Sequence, residues 1–217
     1  MGAVYARPVH RTGDPKAEDR VRNVGEKLLA NEHYPLKKVK YAQCRRDGSW
    51  QEQEREVYDA ASGAAVLLYN RERRTVVLTR QFRLGARLSA PIGGHDGFLL
   101  EAAAGVLDDD APPGERARIE AREETGYEIE RVEPVMQLFP SPGSLTERIH
   151  LFTAEYDPAR RCGPGGGKAE EGEDIEVVEL DFDNALAMVE TGDIVDAKTV
   201  LLLLHLERKV LGRHEAS

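Results

Sequence analysis

From Ala64 to Tyr69 the chain places six side chains in a row that belong out of water, and Thr75 to Thr79 is nearly as apolar. Set around the polar turn Asn70-Arg71-Glu72-Arg73, such short runs read as strands buried within a sheet. Leu99 to Ala104 is a third run; Val132 to Leu138, Arg148 to Tyr156 and Val177 to Leu180 follow as further strands. Pro112 to Thr125 reads as a helix, with proline near its start and Gly126 as its stop. Asn184 to Glu190 and Lys198 to Lys209 read as closing helices. The elements mix without a regular βαβ alternation. That favours α+β or a three-layer α/β/α arrangement over a doubly wound sheet.

The front of the chain reads differently. Asp14-Pro15 has the chemistry of a helix start, and Val21, Val24, Leu28 and Leu29 recur at helical spacing. Tyr34 to Ala42 and Trp50 to Tyr58 are strand-like and flank Asp47-Gly48, a hairpin turn signal. Residues 1–58 are therefore expected as a small helix-and-hairpin lobe and residues 59–217 as the main domain, the alternative being that the front section forms the first elements of one domain.

Acids outnumber bases, 39 to 30, for a net charge of −9. Such a balance argues against a nucleic-acid backbone or an anionic membrane as partner. It suits a site that binds a hard cation, which needs clustered carboxylates. The apolar stretches, Ala64 to Tyr69 and Val200 to Leu204 among them, are too short for a bilayer span, and Arg7, His10 and Arg11 leave the N-terminus without a signal-peptide core. Cys44 and Cys162 are too few for a disulfide framework. The cytoplasm is the expected compartment.

Glu120, Glu123 and Glu124 fall on one face of the helix that ends at Gly126. Three carboxylates at this spacing repel one another unless a positive charge sits among them. Either a divalent cation such as Mg2+ or Mn2+ meets that need, or Arg116, Arg118 and Arg122 relieve a solvated acidic face. The stretch Gly105 to Tyr127, GVLDDDAPPGERARIEAREETGY, resembles the Nudix box. Gly105, Glu120, Ala121, Glu123, Glu124, Gly126 and Tyr127 match its pattern. Ala111 stands where that pattern has Glu, and Ile119 where it has Arg. Arg116, one turn before Glu120, is placed to substitute in part for the missing guanidinium.

The likeness extends through Arg80-Gln81-Phe82-Arg83, the strand Leu100 to Gly105, the turn Ser141-Pro142-Gly143 and the acidic run Glu171 to Val177. With Arg55-Glu56-Val57-Tyr58-Asp59 and the tail Ala197 to Leu202, it resembles the nucleoside diphosphate sugar subgroup of Nudix hydrolases, the GDP-mannose branch in particular. That resemblance implies a Nudix-type α/β/α sandwich with a mixed sheet, and hydrolysis of GDP-mannose to GMP and mannose 1-phosphate. It implies Mg2+, with Mn2+ as a substitute, held by Glu120, Glu124, Glu173 and the Ala104 carbonyl, with Glu123 nearby. Glu173, or failing it Glu171, is the implied base. Arg83, Glu101, Pro142 and Arg55 are implied at the substrate, and the N-terminal lobe is implied to pair two copies into a homodimer. ADP-ribose pyrophosphatase is the alternative activity, and a nucleotide-sugar sensor without turnover the alternative class. Gly163 to Lys168 reads as a flexible linker into the acidic loop, because it lacks the ending of a phosphate loop. His95 and His150 receive no catalytic role.

Overall fold

The computed structural model describes residues 20–89, 96–107 and 111–212. They form two compact units: residues up to Ser62 with Leu138–Arg148, and Gly63–Gln137 with Ile149 onward. Asp14-Pro15 and His95 lie outside the described residues.

The smaller unit is a three-stranded antiparallel sheet in the order β1 (Val21–Asn31), β2 (Pro35–Cys44), β3 (Trp50–Tyr58). Gly48 takes φ +85 in the β2–β3 turn, and Asp47 Oδ1 accepts the Ser49 N–H at 2.9 Å. The helix expected over Val21, Val24, Leu28 and Leu29 is instead β1. Its register with β2 shifts between Asn23 and Gly25 and again between Leu28 and Ala30. Each shift inserts one residue, so the alternation of faces slips by one and the apolar positions acquire helix-like spacing. The whole of β1 is exposed.

The larger unit holds a mixed sheet in the order β10 (Glu176–Asp181), β5 (Thr75–Phe82), β4 (Gly63–Asn70), β9 (Ile149–Glu155), β8 (Glu133–Leu138). Strands β4 and β9 run parallel, whereas β4 and β5 are an antiparallel hairpin around the expected turn. That hairpin pairs only from Leu68 to Asn70. Beyond it the two strands separate, and the run read as one strand occupies the gap in two pieces. Strand β6 (Phe98–Glu101) pairs β5 and β7 (Ala103–Val106) pairs β4, with Ala102 as the crossing point. The Ala102 N–H, freed from either ladder, is bonded to Thr199 Oγ1 at 2.7 Å.

Among the described residues, four α-helices accompany the sheet: α1 (Leu84–Leu88), α2 (Pro113–Glu120), α3 (Phe182–Thr191) and α4 (Ala197–Leu206). Ala117 and Ala121 pack into one core cluster with Ala64, Val66, Leu68, Phe152 and Ala154. The alternate β4 residues Ala65 and Leu67 point to the other face and are equally buried, as are Leu202, Leu203 and Leu206 of α4, which packs on β4 and β9. Both faces of β4 are thus covered, which is why its sequence has no polar alternation. The layers are helix, mixed sheet, helix: the α/β/α sandwich the sequence led one to expect. Among the described residues no helix is long and apolar enough to cross a membrane.

Candidate active site

The glutamate helix starts as α2, with proline in its first turn, and widens at Ala121–Thr125 into a single π-helical turn. Extra residues of this kind re-aim the side chains on a helix and often accompany functional sites. Gly126 closes the turn at φ +78. Small residues then let the carboxylates approach the sheet. A Cβ on Gly105 would overlap the Glu120 carboxylate, so glycine there is the condition for Glu120 to lie against β7.

Glu120 and Glu124 are almost fully buried, at 5% and 2% exposure. Glu124 Oε2 accepts the Ala104 N–H at 3.1 Å, and Arg116 Nε lies 2.8 Å from Glu120 Oε1. Arg116 thus reaches the box glutamate from one turn away, while Ile119 is 41% exposed and contributes no charge. Burial, followed by the charge of Glu120, pushes the Glu124 carboxyl up to about 8 despite the Ala104 N–H. Burial also raises Glu120; Arg116 opposes that rise, and Glu123 and Glu173 add to it. Glu123, more exposed, is paired with Lys168 Nζ at 2.9 Å.

Glu101, at 2% exposure, is the centre of an ion cluster. Arg83 donates to both its oxygens, at 2.8 and 3.0 Å, and Lys198 Nζ donates at 3.2 Å. Burial opposes the charge on Arg83 and on Lys198; Glu101, joined at Lys198 by Asp196, outweighs it and raises both. Asp196 also caps α4, accepting from the Thr199 N–H and hydroxyl at 3.0 and 2.7 Å. Arg83 is close enough to Glu124 for the two charges to interact.

The glycine run does not read as the flexible linker the sequence suggested. Gly165, Gly166 and Gly167 all take positive φ, a path that side chains would oppose. The Gly166 and Gly167 amides bond the Glu124 and Glu123 carbonyls at 2.9 and 3.1 Å, satisfying the end of the π-turn. The acidic loop is thereby docked on the glutamate helix. Glu173 Oε2 accepts the Lys168 N–H at 2.8 Å, and its charge acts on both Glu120 and Glu124. Glu171 is more exposed and pairs with Lys168 at 3.2 Å.

The larger unit therefore brings together Ala104, Glu120, Glu123, Glu124, Glu173, Glu171, Glu101 and Arg83. Pro142 and Arg55 belong to the smaller unit. Pro142 sits in a turn closed by the Ser144 and Leu145 amides on Ser141 O, and Arg55 bonds Gln53 Oε1 at 2.8 Å on the exposed strand β3. His150 is on β9, 3.4 Å from Gln137 Nε2. Sequence reasoning gave no role to Lys198, Asp196 or Lys168. The first two carried a signal: a lysine in the first turn of a helix opposes the helix dipole and needs a carboxylate to hold it.

Among the described residues no three carboxylate, His or Cys side chains are grouped as a finished cation cage. The donor set nevertheless fits a hard divalent cation. Burial and the charge of Glu120 oppose ionisation of Glu124, a cost that a bound cation would offset, and oxygen is the only donor element these carboxylates offer. Residues 20–58 match the family described as "GDP-mannose pyrophosphatase NudK N-terminal domain". A GDP-mannose pyrophosphatase of Cronobacter sakazakii is 50% identical over 187 residues, covering 86% of this chain and 95% of that protein. Its counterparts in Citrobacter koseri and Klebsiella pneumoniae are 46% and 47% identical, each covering at least 85% of this chain and 90% of the relative. Identity of this order along most of both chains, over this fold and this glutamate helix, makes the chain a member of the GDP-mannose pyrophosphatase family of Nudix hydrolases.

Proposed function

We propose that the chain hydrolyses the pyrophosphate bond of GDP-mannose, giving GMP and mannose 1-phosphate, with Mg2+ as cofactor and Mn2+ able to replace it. The observation that carries this reading is the pair of buried, mutually repelling carboxylates Glu120 and Glu124 beneath a docked loop that presents Glu173. Glu120, Glu124, Glu173 and the Ala104 carbonyl would hold the cation, with Glu123 beside them. When bound, the cation supplies charge neutralisation at the diphosphate and a more acidic water.

The chain's own residues supply the rest. Water adds to one phosphorus, the bridging P–O bond breaks, and the other phosphate departs. Glu173 takes the water's proton; Glu171, farther out on the same loop, is the second choice. Arg83, held in a fixed plane by Glu101, presents a guanidinium fork to a diphosphate oxygen. Arg55 and Pro142 are assigned to the substrate on family likeness. The exposed β1 strand supports a homodimer joined through the N-terminal sheet, because an isolated sheet this small with its apolar side chains in water is poorly stabilised. The cytoplasm, where Cys44 and Cys162 stay as free thiols, is the compartment proposed.

The test is kcat/KM for GDP-mannose, GDP-glucose, ADP-ribose and ADP-glucose at one Mg2+ concentration. GDP-mannose should lead by at least about tenfold, because a site that hydrogen-bonds its base penalises the wrong one strongly. Faster turnover of ADP-ribose would reassign the substrate. Binding of all four without turnover would replace the enzyme with a sensor.

A further inference from the structure

The docked loop poses an electrostatic problem. Glu170, Glu171, Glu173 and Asp174 lie on a segment bonded to a helix turn that carries Glu120, Glu123 and Glu124. Like charges brought this close push the loop away. Between Cys162 and Asp181 the chain has one lysine and no arginine: Lys168. Its Nζ lies 2.9 Å from Glu123 Oε2 and 3.2 Å from Glu171 Oε1, so a single ammonium bridges helix and loop. Its backbone is equally engaged. The Lys168 N–H bonds Glu173 Oε2, and its carbonyl accepts the Glu171 and Glu173 amides at 3.0 and 3.2 Å. A Cβ on Gly167 would overlap the Glu173 carboxylate, which leaves that carboxylate little alternative room.

We propose that Lys168 is a positioning residue: its ammonium, shared by Glu123 and Glu171, holds the acidic loop on the glutamate helix and so fixes Glu173 over Glu120 and Glu124. The inference rests on the proposed hydrolysis for its consequence in rate, but its structural half stands apart from it. The bridge is partly solvated, so its loss should open the loop more often without unfolding the core.

The test compares Lys168→Met and Lys168→Arg with the parent chain by GDP-mannose kinetics at saturating Mg2+ and by amide hydrogen exchange. In Lys168→Met, kcat should fall about tenfold with KM within about twofold, since misplacing a reacting group affects the chemical step more than binding. Exchange at the Gly166 and Gly167 amides should quicken about fivefold while Tm holds. Lys168→Arg, which keeps the charge, should restore both to within about threefold. Unchanged loop exchange in Lys168→Met, a rise in KM at constant kcat, or an arginine variant as impaired as the methionine one would each overturn the proposal. Should the parent chain leave GDP-mannose intact, the proposed function falls, and the exchange measurement still decides the role of Lys168.

Discussion

Strands β4 and β1 are both rich in apolar residues, and their fates are opposite. Ala64 to Tyr69 of β4 are all buried, whereas every position of β1 is exposed, including Val24 at 58% and Leu28 at 54%. The first strand finds cover on both faces from its own chain, and the second does not. The larger unit therefore buries its own central strand and gathers the acidic side chains on one helix and loop. The smaller leaves the apolar side chains of β1 uncovered by its own chain. The contrast teaches that a strand's sequence specifies its environment reliably only when that environment lies in the same chain.

The sharpest way to break the comparison is at the buried carboxylates. Glu124→Gln should lower kcat by about a thousandfold or more while leaving Tm unchanged or raised, because a neutral amide relieves repulsion with Glu120 but cannot bind a hard cation. Kinetics with a thermal melt checks it, and a folded variant with near-parental turnover removes Glu124 from the site. Gly105→Ala comes next. Its Cβ has to displace the Glu120 carboxylate, so activity should fall about a hundredfold and stability by roughly 1–3 kcal/mol. Its counterpart in the smaller unit, Gly25→Ala, meets open space and should leave both nearly unchanged. Equal effects of the two alanines would erase the distinction between the units.

In the smaller unit, Leu28→Glu should shift the chain from dimer to monomer, read by light scattering at micromolar concentration. A charge in an apolar interface leaves a group unpaired, whereas on a solvated strand it costs little. A parent chain that is itself monomeric would end the dimer proposal.

The smallest effect is in pH. A carboxyl raised from its ordinary 4.5 to about 8 in the fold favours folding fully below pH 4.5, and that advantage is lost as pH climbs toward 8. With chelator present, Tm should therefore decline from about pH 5 to about pH 8. The extra Tm supplied by Mg2+ should grow over the same interval, as the pair ionises and binds the cation. A Mg2+ increment independent of pH would contradict the assignment of Glu124.

Much of this was legible beforehand in the larger unit. The strands β4 and β5, the glutamate face and the Gly126 stop follow from local chemistry. Three things were not. Register shifts in β1 disguised a strand as a helix, since bulges alter the face without any residue type that announces them. The split at Ala102 between β6 and β7 depends on how far β4 and β5 separate, which is a tertiary matter. The glycine run meets the Glu123 and Glu124 carbonyls, some forty residues away in sequence, through its backbone amides, and backbone groups leave no signature in sequence.

The central claim is that the buried carboxylates serve cleavage between the two phosphates, and product identity tests it most directly. Phosphorus NMR of GDP-mannose with the chain and Mg2+ should show the diphosphate pair of signals replaced by two monophosphate signals, from GMP and mannose 1-phosphate, and no change when Mg2+ is chelated. Release of GDP with free mannose, or the same two monophosphates at full rate in chelator, would contradict it.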